Sequence, residues 1–272
     1  MFTIPFYVAY NTQGFWLKSN TYNEQPDVHF IYEYLVMMET DDIEAPVICT
    51  SFQSISAAVE EYNSCPIMKV REDDFNKDGK YDKLYFEVEG LVGKRNVYEI
   101  TVVLLFDYKL RSHSEFQMQS LGWIQTSSAL GGGRVDITGD LRLYQRAPLG
   151  HKGRDLRYNT TVVTAKYPHE YTLFKLLSGY AQRNMTTRIE NVYSVWTRGR
   201  DTEKPFVVGL ELGYPEEIVK YKPGTWQVVK VAWLQYLALF YLSVLLGRKL
   251  KHFILDNRLV HNVRCYPWKK LT

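Results

Sequence analysis

Cysteine, histidine and nucleotide-binding motifs are scarce in this chain, and each shortage removes a class of function. Three cysteines in 272 residues, Cys49, Cys65 and Cys265, are too few to staple a disulfide scaffold. Cys49 and Cys65 are either a pair formed in an oxidising compartment or two free thiols. The six histidines are scattered at positions 29, 113, 151, 169, 252 and 261, with no His-Glu-x-x-His pair to hold zinc. Gly90-Leu91-Val92-Gly93-Lys94 lacks the four-residue gap of a phosphate-binding loop, and Gly131-Gly132-Gly133 opens no helix. Activity resides in sites rather than folds, and no catalytic constellation stands out, so a non-enzymatic role without a cofactor is expected. The first 225 residues are also short of positive charge. Residues 226 to 272 carry eight Lys or Arg against one acid, Asp256, a charge of +7, which leaves −4 on the rest. A mildly acidic body has no basic face for nucleic acid.

Long apolar runs are equally rare, and the one present organises the chain. From Val228 to Leu246 the only strongly polar residues are Lys230, Gln235 and Ser243. At about 1.5 Å per residue these positions span roughly 28 Å as a helix, close to the thickness of a bilayer core. Trp226 and Trp233 mark one boundary, and Arg248, Lys249 and Lys251 follow the other at once. Residues 226–247 therefore read as a transmembrane helix in contact with the lipid bilayer. The basic flank makes residues 248–272 a cytoplasmic tail and places the preceding domain outside the cell or in a lumen. Gln235 lies inside the apolar stretch and Ser243 follows eight residues later near the same face. Such a stripe is expected to contact another membrane helix, unless Gln235 reaches interfacial water beside Lys230. The opening MFTIPFYVAY has no basic start and no cleavage site and is too short to span, so residues 1–13 read as the residual end of a first membrane helix or a juxtamembrane segment.

Between these ends, residues 14–225 show no repeat and no low-complexity run and are expected to form one domain. Its strand candidates are 28–36, 47–52, 67–71, 83–89, 97–110, 115–125, 135–144, 158–164, 191–198 and 206–212, all rich in Val, Ile, Thr, Tyr and Phe. Turn residues separate them at Asp78-Gly79, Gly131 to Gly133, Gly150 to Gly153 and Gly199. The fold class is mainly β, a β-sandwich-like extracellular domain with one or two short helices, at 54–62 and 171–183, followed by the C-terminal transmembrane helix. The second helix places Leu173, Leu176, Leu177 and Tyr180 on one face, ready to pack on a sheet.

Two motifs remain. Asn159-Thr160-Thr161 and Asn184-Met185-Thr186 are glycosylation sequons, and Asn159 and Asn184 lie on the side that the charge asymmetry places outside. Asp74, Asn76, Asp78 and Asp82 occupy positions 1, 3, 5 and 9 of a loop with Gly79 at position 6, the first part of a calcium loop. Position 12 is Tyr85 rather than a bidentate Glu, so the loop is either a weak extracellular-type Ca²⁺ site or a polar hairpin tip.

Several stretches together resemble the transmembrane protein 231 family. They are Gly14-Phe15-Trp16-Leu17-Lys18 with Gln25-Pro26; Arg71-Glu72 with Asn76, Asp78-Gly79-Lys80 and Asp82; Gly139-Asp140-Leu141-Arg142-Leu143; Arg157-Tyr158-Asn159; Gln182-Arg183-Asn184 with Thr186-Thr187; and Tyr214-Pro215 through Pro223-Gly224, Trp226, Lys230, Ala232-Trp233 and Gln235-Tyr236. The resemblance runs from about Gly14 to Val260. It implies two membrane helices flanking an external domain, with both ends in the cytoplasm. It also implies a non-catalytic role at the ciliary transition zone, in the Meckel-syndrome (tectonic-like) complex. That complex builds the barrier that controls ciliary membrane protein composition and supports ciliogenesis, and its tectonic and Meckel-syndrome subunits would be the partners. A different class of function, a membrane-anchored receptor or adhesion module with a calcium-dependent β domain, is the alternative.

Overall fold

A computed structural model of the chain describes residues 3–12, 16–42, 46–52, 65–163, 173–201 and 203–259. They fall into two compact units. Thr21–Lys222 is a β body, and the other unit holds the helices at the two ends. The helix expected at 54–62 lies outside the described residues.

The body is built around strand length. β2 (Asp27–Thr40), β6 (Val97–Leu110) and β7 (Phe116–Gln145) are far longer than the usual five or six residues. The first half of β7 pairs antiparallel with β6, from Leu110 opposite Phe116 to Glu99 opposite Ser127. β6 pairs with β2, and β2 with β3 (Val47–Thr50). The second half of β7 takes different neighbours. β10 (Phe206–Gly213) runs parallel to it, and β9 (Met185–Arg198) runs antiparallel on its other side. β5 (Lys83–Gly90) and β4 (Ile67–Asp73) then continue outward from β10. One continuous sheet thus has two arms, β3-β2-β6-β7 and β9-β7-β10-β5-β4. The arms face one another, as Phe30 and Phe106 of the first meet Phe86 of the second and Tyr214 just beyond it, with ring centroids of Phe30 and Phe86 5.9 Å apart and of Phe106 and Tyr214 6.2 Å apart. This is the expected sandwich-like architecture, with its two layers joined through a shared strand.

The expected turn at Gly131 to Gly133 is a correction. β7 continues through it without a break, joining the two strands read as 115–125 and 135–144, while folding over so that Thr187, opposite Leu143, also bonds the Leu121 carbonyl. Glycine is needed there for close approach. A Cβ on Gly131 would lie 2.7 Å from Asn96 Cβ, and one on Gly132 3.0 Å from the Thr197 carbonyl. β8 is Asp155–Tyr158 rather than 158–164, and β9 begins six residues earlier than its apolar pattern suggested.

Burial follows the layers. Val28, Val36, Val102, Leu104 and Phe106 fill the space between the arms together with Phe86, Val88, Val208 and Leu210. The opposite face of the first arm is also covered. α2 (Leu173–Ala181) lays Leu173, Leu176, Leu177 and Tyr180 over Leu35, Ile48, Val103, Leu105 and Leu121. Two-sided burial explains why β2 and β6 read as continuous apolar runs, whereas β5, with one solvated face, alternates strictly. Two bridges close the edges. Cys49, at the edge strand of the first arm, forms a disulfide with Cys65, just before the edge strand of the second, with Cα atoms 5.7 Å apart. β1 (Asn20–Glu24) pairs with β11 (Glu217–Tyr221) as a separate ribbon. Glu24 there accepts the amides of Arg111 at 2.8 Å and Ser112 at 2.9 Å, holding the turn between β6 and β7.

Candidate functional site

The helical unit exposes the residues a soluble protein would hide. α3 (Thr225–Asp256) runs unbroken for 32 residues, and only 6% of its most apolar window is buried. A core helix would be mostly buried, so its length and exposure together fit a lipid-facing span. Trp226, Trp233, Tyr241, Leu242 and Leu246 are all exposed. α1 (Thr3–Asn11) packs against it through small residues: Pro5 and Ala9 are buried, and Ala9 meets Ala232, with Tyr236 and Leu239 alongside. Its large side chains Ile4, Phe6, Tyr7 and Tyr10 point outward. Small residues inside and large apolar ones outside is the packing of membrane helices, where close backbone approach replaces the hydrophobic drive.

The polar stripe of α3 lies on the flank that α1 partly covers. Ser243 Oγ donates to the Leu239 carbonyl at 2.8 Å, which satisfies it within its own helix. Gln235, half-buried and about 60° around the helix from Ala232, has no hydrogen-bond partner among the described residues.

The loop from Asp74 to Asp82 joins β4 to β5, and its side chains close it. Asp74 accepts the amides of Lys77 at 2.6 Å and Gly79 at 3.0 Å. Asn76 accepts from the Asp78 amide at 2.9 Å, and Asp78 from the Lys80 amide at 2.8 Å. Asp82 accepts from Phe75 N at 2.7 Å and from Gln25 Nε2 at 2.8 Å. Desolvation pushes the Asp82 carboxyl up, but these hydrogen bonds outweigh it and hold the group below the usual carboxylate range. Gly79 at φ +86° and Lys77 at φ +59° provide the left-handed corners. Among the described residues no group of three or more His, Cys, Asp or Glu side chains converges at metal-binding distance.

The two sequons, 25 residues apart in sequence, lie side by side. The hydroxyl of Tyr158, next to Asn159, accepts the Asn184 amide at 3.2 Å, and both asparagines are exposed. The proximity of these two was not legible in the sequence, because it depends on β8 and the start of β9 both lying against β7.

A groove of about 550 Å³ on the outer face of the second arm also escaped sequence reading. Gly209 opens it, since a Cβ there would strike Asp136 Oδ1 at 2.6 Å. Its charges neutralise one another: Lys69 bonds Glu87 at 2.9 Å, Arg134 bonds Glu87 at 3.2 Å and Asp136 at 2.7 Å. The Lys69 hydrogen bond holds the Glu87 carboxyl below the usual carboxylate range. Two carboxylates are instead pushed up by burial, and each serves a backbone amide. Glu72 accepts from Phe30 N at 2.9 Å and Glu217 from Leu143 N at 3.2 Å.

Comparison with known proteins agrees with a β body followed by a helix long and apolar enough to cross a membrane. The family model described as Transmembrane protein 231 matches residues 1–264. Mouse Transmembrane protein 231 is 35% identical over 263 residues, covering 95% of this chain and 84% of the mouse protein. The chicken protein of that name is 36% identical over 93% of this chain and 81% of its own length, and the human one 33% identical over 95% and 83%. With the match extending through both helices and the whole β body, this chain belongs to the transmembrane protein 231 family of membrane proteins.

Proposed function

We propose that this protein is a non-enzymatic membrane subunit of the ciliary transition-zone complex of tectonic and Meckel-syndrome proteins, contributing to the diffusion barrier and to ciliogenesis. Family membership over nearly the whole chain is the observation that carries this reading. The physical arrangement supports it: a β body whose charged outer face is internally neutralised, attached to helices that expose apolar side chains. The C-terminal tail is cytoplasmic in this reading and the β body external, on the charge asymmetry of the sequence. Gln235 contributes to assembly. An amide in hydrocarbon is costly unless paired, and a helix from another subunit would return about 0.6 to 2 kcal/mol.

Tagged protein in ciliated cells tests the assignment. It is expected at the cilium base, and Gln235→Leu is expected to insert normally while losing complex subunits on purification. Unchanged subunit recovery in the variant would reduce α3 to a plain anchor, and a wild-type protein absent from the cilium base would overturn the gate reading. Protease added to intact cells is expected to destroy an epitope near Gly150 and spare one at the C-terminus; the reverse pattern would sink the topology.

A further inference from the structure

The spanning helix does not end where its apolar stretch ends. α3 continues without a break from Leu246 to Asp256, so the residues directly after Leu246 are held rigidly at a fixed height. Arg248, Lys249 and Lys251 rise roughly 3 to 8 Å beyond Leu246 at about 1.5 Å per residue, which is the level of the lipid phosphates. At about 100° per residue Arg248 and Lys251, three positions apart, share one face about 60° from each other, and Lys249 points to the other side, about 160° from Lys251. All three are exposed, and none has a carboxylate partner among the described residues. The acid nearest in sequence, Asp256, lies 3.9 Å from His252 instead. Ion pairing elsewhere in the chain is dense, as at Lys69, Arg134 and Arg157. Three exposed cations at one level of a spanning helix, without a carboxylate among the described residues, are open to counter-charges from outside the chain.

We propose that Arg248, Lys249 and Lys251 form a collar that gathers anionic phospholipid headgroups around α3 in the leaflet at its C-terminal end. The collar rests on α3 spanning a bilayer. Mobile anionic lipids suit it because the cations lie on both sides of the helix, Arg248 with Lys251 on one and Lys249 on the other: no single rigid ligand reaches around the helix to all of them, whereas separate headgroups can serve each side. A cation at a membrane surface favours an anionic neighbour by roughly five-fold, screened by salt.

The test uses the full chain reconstituted in phosphatidylcholine vesicles with trace spin-labelled lipid. Electron paramagnetic resonance then reads the motionally restricted fraction for labelled phosphatidylserine and for labelled phosphatidylcholine. Phosphatidylserine is expected to associate about five-fold more strongly at low salt. That preference should collapse toward one in the Arg248→Gln/Lys249→Gln/Lys251→Gln variant and, in the wild type, on raising the salt. Inositol trisphosphate in the buffer should leave it unchanged, since the ligands are lipids held in the bilayer plane. Equal selectivity in wild type and variant, selectivity indifferent to salt, or displacement by the soluble phosphate would each overturn the collar. Absence of any restricted lipid would instead refute the span itself, so the two failures are distinct.

Discussion

Tyr180, on α2, and Thr187, on β9, share a closed hydrogen-bond circuit. The Tyr180 hydroxyl accepts the Thr187 amide at 2.7 Å and the Leu121 amide at 3.2 Å and lies 2.9 Å from Thr187 Oγ1. Thr187 Oγ1 in turn donates to the Leu121 carbonyl at 2.9 Å. The circuit stitches β9 to the first half of β7, two edges that share no strand pairing at Leu121. Tyr180→Phe keeps the ring against Leu105 and Leu121 but orphans two buried amides. Each costs about 1–3 kcal/mol, so a large loss of stability is expected in thermal or denaturant unfolding. A Tyr180→Phe protein as stable as wild type would show that the hydroxyl is dispensable.

The disulfide joins the outer strands of the two arms on the side away from β7. Cys49 and Cys65 are 16 residues apart, and a loop of that size is worth about 3 kcal/mol in the chain-entropy account. Reduction, or Cys65→Ala, is expected to lower unfolding stability by about that amount while the apolar core between the arms persists. No difference between oxidised and reduced protein would mean that the arms are held without it.

Stability should respond to pH with opposite signs at two carboxylates. Burial raises Glu72, so its contribution is fully present below the unfolded value of about 4.3 and is lost as pH rises through the higher folded value. Glu72→Gln still accepts the Phe30 amide, and its melting temperature relative to wild type should improve from pH 4 to pH 7. Glu87, lowered by Lys69, contributes above its unfolded value and loses that as pH falls, so Glu87→Gln should fare relatively better at pH 4. Melting curves of both variants across this range decide it, and parallel curves would contradict both assignments.

The β4–β5 loop keeps its shape through its own side chains, so an ion would have to compete with the hydrogen bonds to Asp74, Asp78 and Asp82. We expect Ca²⁺ to bind no more tightly than about 10⁻⁴ to 10⁻³ M. Calorimetric titration should give a saturable heat for wild type and none for Asp78→Ala. Equal heats in both would leave a turn closed by its own carboxylates.

Both sequon asparagines are exposed at one corner of the body, although Met185 and Thr186 behind Asn184 are buried, and we expect Asn159, Asn184 or both to carry glycans. A deglycosylase should increase gel mobility, and Asn159→Gln with Asn184→Gln should abolish that shift. Mobility unchanged by the enzyme would rule the modification out.

The legible parts of this fold were those written in apolar periodicity. β2, β5, β6 and β10 lie where their Val, Ile, Leu and Phe patterns put them, and α2 presents its expected Leu and Tyr face. The illegible parts depend on partners distant in sequence. Asn20–Glu24 and Glu217–Tyr221 form a ribbon because each finds the other across the body: the first is polar and gives no strand signal, and the second, though it holds Ile218, Val219 and Tyr221, is only five residues long. Three consecutive glycines read as a turn, yet here they answer to Asn96, Thr197 and Arg200 pressing on β7. The apolar run of α3 was plain, whereas the pairing of Ala9 with Ala232 left no mark in a nine-residue helix. Cys49 and Cys65 were open between bonded and free because only the meeting of two sheet edges brings them together.

The position of β10 sets the order in which the body can be completed during synthesis. It lies between β5 and β7, pairing with both, although it follows them by more than 60 residues in the chain. While the polypeptide emerges from N- to C-terminus, the facing edges of β5 and β7 therefore stand unpaired until Phe206–Gly213 arrives. Only β11 then precedes the spanning helix. Closure of the second arm thus falls late, almost together with membrane insertion. Strand edges held open this long invite wrong pairing, so a chain cut before Phe206 leaves the facing edges of β5 and β7 without their shared partner and is expected to aggregate rather than to form a smaller folded domain.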